Sequence, residues 1–315
     1  MPSRFAILLS YHALSNGTDV LIFGQVTSMR ASDLSFTDYT RRRTFRTLLS
    51  LYRTKPLSHE ALTLSFDSLT AKASTDASGF FIVKHPVESI RGTLQKVSLS
   101  SGKEIKLIEG LYSRTIHYVE TPYMIVSDID DTILHSFISR KVLKFRTLMF
   151  TPVEKRETVI HVRDLIRSVV SKGATPIYLS NSEQNLYPLI YRFLLLNEFP
   201  AGPIFLKQMR KLMDVFRYRK LPAPEVHKLK MLDEIMALFA DKKFVLVGDN
   251  TQYDLSIYLS VAKKYPSNIT HIFIRKVVTL PNEEEMVKEL TETLSKEQIT
   301  FHYAMEFSPI KELKE

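Results

Sequence analysis

Hydrophobic and polar positions follow two rhythms along this chain, and the change falls near residue 120. Before it, apolar runs are short and separated by turn residues. Residues 20–26 (VLIFGQV) and 61–64 (ALTL) predict strands. Ser78-Gly79 predicts a turn ahead of a strand over 80–83, and residues 97–99, 105–108 and 116–119 continue the series. One helix is expected where Phe45, Leu48, Leu49 and Tyr52 recur at helical spacing. Many short strands with turns between them read as a small β-sandwich over residues 1–120, in an accessory or binding role.

After residue 120, apolar strands alternate with amphipathic helices. Strands are expected at 123–126, 176–179, 204–206, 244–247 and 271–274. A helix over about 157–172 should face the core with Ile160, Leu165, Val169 and Val170 and stop at Gly173. A second should run to about Leu196, with Pro188 starting or kinking it. A third carries Leu229, Leu232, Ile235, Met236 and Phe239. Buried strands alternating with helices predict an α/β fold over 121–315, a parallel sheet covered on both faces. In such sheets the working residues lie beyond the carboxyl ends of the strands.

Those ends are acidic. The first strand runs into Ser127-Asp128-Ile129-Asp130-Asp131-Thr132, the second into Ser180-Asn181-Ser182, and the fourth into Gly248-Asp249 with Asp254 close behind. One Asp or Thr at a strand end reads as a turn or cap residue. Two carboxylates two positions apart, with a second acidic cluster on another strand, read as chemistry. A phosphate monoester repels nucleophiles. A divalent cation offsets that repulsion, one carboxylate can attack phosphorus, and a second acid can protonate the leaving oxygen and then activate water. Lys228 opens a helix, where a cation is unfavourable for the dipole and therefore wants an anionic partner.

Composition narrows the chemistry further. The chain has 315 residues and no cysteine, which excludes disulfides, thiolate zinc sites and cysteine-phosphatase chemistry. No apolar run approaches the roughly 20 residues that span a bilayer. Residues 5–9 (FAILL) are expected to be the first buried element of a cytosolic protein. The net charge is +9; residues 1–120 hold 15 basic and 10 acidic side chains and the remainder 28 and 24, so neither part is a dedicated basic arm. Two local stretches are more basic. Residues 137–150 interleave Arg140, Lys141, Lys144 and Arg146 with apolar side chains, and residues 207–220 carry Lys207, Arg210, Lys211, Arg217, Arg219 and Lys220. Either could touch an anionic membrane or, more commonly, be a solvated face. His12, His117, His135, His161, His227 and His271 show no metal spacing and are expected to be structural or surface residues. Asn282 before Glu283-Glu284-Glu285 predicts a capped helix start.

The ordered set Asp128-x-Asp130-x-Thr132, Ser180, Lys228 and Gly248-Asp249-x-x-x-x-Asp254 resembles the four motifs of the haloacid-dehalogenase superfamily. That resemblance implies a Rossmann-like parallel sheet of the haloacid-dehalogenase type. It also implies Asp128 as nucleophile and Mg²⁺ ligand, and Asp130 as general acid/base with its carbonyl on the metal. Thr132 would support the loop. Ser180, its neighbour Asn181 and Lys228 would hold the phosphoryl group, and Asp249 and Asp254 would complete the metal site. Asp at position 130 points to phosphatase chemistry. Residues 127–133, 178–182, 199–203 and the stretch from His227-Lys228 to Gly248-Asp249 are similar to the phosphatidate phosphatase catalytic domain of the fungal actin patch protein family and its bacterial relatives. Glu183-Gln184 stands where that family usually has Pro-Trp, and Leu134 where it commonly has Lys.

Forty-seven residues lie between Thr132 and Ser180, and 47 between Ser180 and Lys228, too few for a large cap. An open site suits large or membrane-bound substrates. The expectation is therefore a Mg²⁺-dependent phosphomonoesterase, with phosphatidate favoured by the resemblance, cytoplasmic or peripheral to a membrane. Its rivals are a phosphatase for nucleic-acid ends or phosphoproteins, and a scaffold whose β-rich part does the work. Nucleic acid is the less favoured partner, and the sequence does not indicate an oligomeric state.

Overall fold

The computed structural model describes residues 4–30, 49–67, 70–86, 92–133, 157–207, 224–251, 253–310 and 312–313, with backbone alone at 224, 225 and 227. The basic stretch 137–150, residues 208–220, Phe45, Leu48, His135 and Leu134 lie outside the described residues, as does the side chain of His227.

The front of the chain forms two sheets. The first is built on β1 (Arg4–Ser15) and β2 (Asp19–Arg30), which pair antiparallel along their length. It adds β3 (Lys55–Pro56), β6 (Phe80–Pro86) and, parallel to β1, β9 (His117–Tyr118). The second joins β4 (Ala61–Phe66), β5 (Thr70–Ser74), β7 (Leu94–Leu99) and β8 (Glu104–Ile105) in the order β5-β4-β7-β8. Side chains from both, among them Ile7, Leu9 and Ile22 from one and Leu62, Leu64, Val97 and Ile105 from the other, meet in one hydrophobic cluster. The turn before β6 is set by Asp76, whose Oδ1 accepts the N–H groups of Ser78 at 2.7 Å and Phe80 at 3.0 Å. Gly79 follows at φ +75, where a side chain would be strained. Of the expected helix around residues 45–52, the described part, Leu49 to Tyr52, is helical.

Six further strands make the sheet that positions the site: β10 (Tyr123–Ser127), β11 (Thr175–Glu183), β12 (Ile204–Lys207), β13 (Lys243–Asp249), β14 (Ile269–Arg275) and β15 (Thr300–Ala304). Their order is β12-β11-β10-β13-β14-β15 and every neighbouring pair is parallel. The chain steps outward in one direction from β10, then returns to the other side of it with β13. A crevice opens at such a reversal, outside the carboxyl ends of the two central strands. The connecting helices are α1 (Ile160–Val170), α2 (Tyr187–Leu196), α3 (Pro224–Leu238), α4 (Asp254–Lys264) and α5 (Glu283–Lys296).

Alternate strand residues sort to opposite faces, as a pleated sheet requires. Met124, Val126, Phe244 and Leu246 pack with Leu232 and Ile235 of α3 and Ile257 and Val261 of α4. Ile125, Val245 and Val247 pack with Val162, Leu165 and Ile166 of α1. This double coverage explains why the strands read as continuous apolar runs.

Several expectations need correction. Ile160 is 59% exposed, because α1 begins there and its inward stripe starts at Val162. β15 is a sixth strand that the sequence reading omitted; all five of its side chains are only partly buried, so no apolar run marks it. β11 runs through Ser180 to Glu183 rather than ending at Leu179. Asn282 does precede α5, but its backbone is left-handed (φ 51) and its side chain makes no cap hydrogen bond. Lys207 belongs to no solvated face: it is buried at the end of β12, in register with Glu183. Pro188 sits in the first turn of α2, where a missing N–H costs nothing.

Candidate active site

The sheet itself delivers the acidic residues to one place. Asp128 follows β10 directly, and its N–H still donates to Val247 O of β13 at 2.8 Å, so its backbone is held by the ladder. The chain then turns sharply. Asp131 adopts φ +63, and its carbonyl accepts a hydrogen bond from Arg275 Nη1 at 2.6 Å. Thr132 Oγ1 donates to Asp249 Oδ2 at 3.0 Å, tying this loop to the end of β13.

Lys228, in the second turn of α3, lies between two carboxylates. Its Nζ is 2.5 Å from Asp128 Oδ1 and 2.5 Å from Asp254 Oδ1. All three side chains are about 1% exposed. Lys228 does not open the helix, which begins four residues earlier at Pro224, so the dipole gives it little penalty; what holds the ammonium is a pair of aspartates. Burial works against a charged ammonium, but the two carboxylates more than reverse it and hold Lys228 well above the usual lysine range. Asp128 is pushed in the unfavourable direction: burial raises it well above an ordinary carboxylate, Lys228 counters, and Asp254, Asp249 and Asp130 add repulsion. Burial, then Asp254, push Asp249 up to about 6, opposed by two hydrogen bonds from Thr251.

Three carboxylates crowd around one ammonium, and their mutual repulsion adds to burial in raising Asp128 and Asp249. Oxygens of Asp128, Asp249 and Asp254 all lie within 4.8 Å of one another. Asp128 Oδ2 is buried and accepts no hydrogen bond from any of the described residues. A buried carboxylate oxygen without a donor is costly unless something else satisfies it. An all-oxygen, anionic donor set with one oxygen unmet fits a hard divalent cation. The carboxylate of Asp130 is not in that group. It turns towards β11, where it accepts hydrogen bonds from Ser180 Oγ at 2.7 Å and Ser182 Oγ at 2.9 and 3.1 Å. Asn181, between the two serines, is half-buried.

Every site residue expected from the sequence thus falls at the carboxyl edge of the sheet. Two that the sequence reading passed over are there as well. Ser182 stands two positions beyond Ser180 on the same strand, so once Ser180 is singled out the period of two points to it as well. Arg275 ends β14 opposite Asp249 and is held below the usual arginine range by burial, with Asp249 and Asp131 opposing. The strand-end rule applied to the fifth strand would have reached it. Asn250 was also missed. Its Oδ1 accepts the N–H of Val277 at 2.8 Å and its Nδ2 donates to Tyr303 Oη at 2.7 Å, fixing the loop after Asp249 to the far side of the sheet.

Comparison with known proteins points the same way. Residues 123–276 match the family model described as "Phosphatidate phosphatase APP1, catalytic domain", so the segment that carries the whole acidic site is similar to that catalytic domain. Phosphatidate phosphatase APP1 of Saccharomyces cerevisiae is 29% identical over 245 residues, covering 74% of this chain and 40% of its own length. An uncharacterised protein of Schizosaccharomyces pombe is 27% identical over 239 residues, covering 74% and 38%. The chain therefore spans about two fifths of the length of these curated relatives. Among solved structures, a carbohydrate acetylesterase from Xanthomonas citri matches 93% of this chain and 75% of its own at 11% identity, with a TM-score of 0.27 that carries no argument. The family match and the yeast relative support a phosphoric monoester hydrolase.

Proposed function

We propose that this protein hydrolyses a phosphomonoester through an aspartyl-phosphate formed on Asp128, with Mg²⁺ bound by Asp128, Asp249 and Asp254, and that phosphatidate is its substrate. The observation that carries this reading is the buried Oδ2 of Asp128, which accepts no hydrogen bond from the described residues, at the reversal point of a parallel sheet, with Lys228 and two further aspartates around it. The strand order and the ordered motifs support a fold of the haloacid-dehalogenase type, with the two front sheets as an accessory β-sandwich-like part spanning residues 1–120.

Asp128 Oδ2 attacks phosphorus, forming the acyl phosphate as the bond to the leaving oxygen breaks. Asp130 gives that oxygen its proton, and diacylglycerol departs when the substrate is phosphatidate. Asp130 then takes a proton from a water molecule whose oxygen attacks phosphorus. The bond to Asp128 breaks and inorganic phosphate leaves. Lys228 and Ser180 hold the phosphoryl oxygens, and Thr132 and Thr251 fix the carboxylate of Asp249 from either side. A bound Mg²⁺ would offset the repulsion between the phosphoryl group and the carboxylates. The backbone carbonyl of Asp130 is a further donor that the family resemblance implies.

A lipid needs an open approach. Tyr253, Val277 and Met305 are 44%, 40% and 69% exposed and stand just past the carboxyl ends of β13, β14 and β15, beside the site. Apolar side chains at this edge, in a chain of net charge +9, suit peripheral contact with an anionic membrane. Among the described residues no helix is long and apolar enough to cross a membrane. Phosphate release from phosphatidate in mixed micelles tests the substrate. A Mg²⁺-dependent rate, abolished by EDTA, is expected. Turnover of a soluble aryl phosphate with none of phosphatidate would keep the phosphatase and discard the lipid.

A further inference from the structure

We infer that Ser182 is a positioning residue for Asp130, holding that carboxylate in place when the Ser180 hydroxyl turns to the substrate's phosphoryl group. The inference rests on the phosphatase reading above and deepens it. Ser180 Oγ donates to Asp130 Oδ2 at 2.7 Å and itself accepts the backbone N–H of Ser182 at 2.8 Å. A serine hydroxyl has one proton to give. It cannot donate to Asp130 and to a phosphoryl oxygen at once, so substrate binding takes from Asp130 its bond from Ser180.

Ser182 is built to remain. Its Oγ lies 2.9 Å from one oxygen of Asp130 and 3.1 Å from the other, so it can follow the carboxylate through a small rotation without releasing it. The strand places it there. Residues two apart share a face of a strand. The register of β11 against β12 also shifts between Ser180 and Glu183, an irregularity of the kind that re-aims side chains beside active sites. One hydroxyl is thus fully buried and available to the phosphoryl group, and the other stays with the acid. Proton transfer to the leaving oxygen depends on that aim, because misplacement by about an ångström slows catalysis steeply.

The dependence on a proton differs between esters. An alkyl phosphate needs its leaving oxygen protonated, whereas p-nitrophenolate departs without help. The experiment measures, with Mg²⁺, the single-turnover rate of alcohol release, which precedes the water step that both esters share, and the KM at which that rate half-saturates, in the wild type, Ser182→Ala, Ser182→Thr and Ser180→Ala. Ser182→Ala should lower the release rate for the alkyl ester by about tenfold or more, leave p-nitrophenol release within about twofold and leave KM unchanged. Ser182→Thr, which keeps the hydroxyl, should restore the alkyl rate. Ser180→Ala should raise KM for both esters. If Ser182→Ala fails to melt as a folded protein, the isosteric pair Ser182→Val and Ser182→Thr makes the same comparison. An equal loss on both esters, no loss on either, or Thr behaving as Ala does would overturn the role given to Ser182. A wild type that turns over neither ester would instead overturn the phosphatase reading on which it rests.

Discussion

A Cβ built on Gly248 would lie 2.7 Å from both Cβ and Oδ2 of Asp254 and 2.9 Å from Cε2 of Tyr258. The closeness follows from how Asp254 is held: it reaches back from α4 to accept the N–H of Asp249 at 3.3 Å and the ammonium of Lys228. Gly248→Ala should push Asp254 out of that arrangement. The Mg²⁺ concentration for half-maximal activity is expected to rise by about tenfold or more, with a lower thermal midpoint. An unchanged Mg²⁺ requirement in a folded variant would remove Asp254 from the metal site. At this scale the sequence was most informative. Asp128, Asp130, Ser180 and Asp249 could be picked out because each stands at or just past the end of an apolar run. Ser182 and Arg275 obey the same rules and were legible in principle. What no sequence pattern carries is the pairing. Nothing in the spacing says that Lys228 joins Asp128 to Asp254, or that Asp130 faces two serines instead of the other aspartates.

Elements that dock on one another carry their own chemistry. β1 is buried on both faces from Ala6 onward, lying between the second front sheet and the helices of the parallel sheet. His12 on it is 6% exposed, and its Nε2 accepts the N–H of Ile204 at the start of β12 at 3.1 Å. Its ring packs edge-on to Tyr187 of α2, and Phe23 on β2 stacks on Phe205 at 4.2 Å. Burial, helped by His117, lowers His12 to about 3. The unfolded chain binds a proton there below pH 6.5 while the folded chain does not until about pH 3. Stability from this residue is therefore present above pH 6.5 and lost as pH falls towards 3. Between pH 7.5 and 5 the wild type should lose about 2 kcal/mol through His12 in denaturant unfolding. His12→Gln, which can still accept from Ile204, should flatten that slope, and an identical slope would contradict a neutral, buried His12. The sequence left His12 as one of several uncommitted histidines, since nothing local says that a strand in the front sheet meets β12. β15 escaped notice for a different reason: an edge strand buries little, and its half-exposed residues carry no apolar run.

Across the whole molecule, the change of rhythm near residue 120 marks where the parallel sheet begins, but not a gap in the core. Ile7 and Leu62 of the front sheets share a hydrophobic cluster with Ile125 and Val162, and Leu14, Leu21 and Phe23 share another with Val126 and Leu246. Hydrophobic periodicity reports which residues are buried, not which buried faces meet, so this continuity was not legible in advance. The parallel α/β architecture was, because strands covered on both faces leave an unbroken apolar signature. The front and rear therefore form one scaffold behind the site at the carboxyl edge, and the proposed covalent step falls on one atom there, Asp128 Oδ2. It is tested by quenching the enzyme during turnover of a phosphate ester in Mg²⁺, reducing with borohydride and mapping the peptides by mass spectrometry. Reduction of an aspartyl-phosphate converts its carboxyl group to an alcohol. That change is expected at residue 128 alone, and is expected to vanish when EDTA replaces Mg²⁺. Rapid turnover with residue 128 unmodified, or modification at Asp249 or Asp254 in its place, would contradict it.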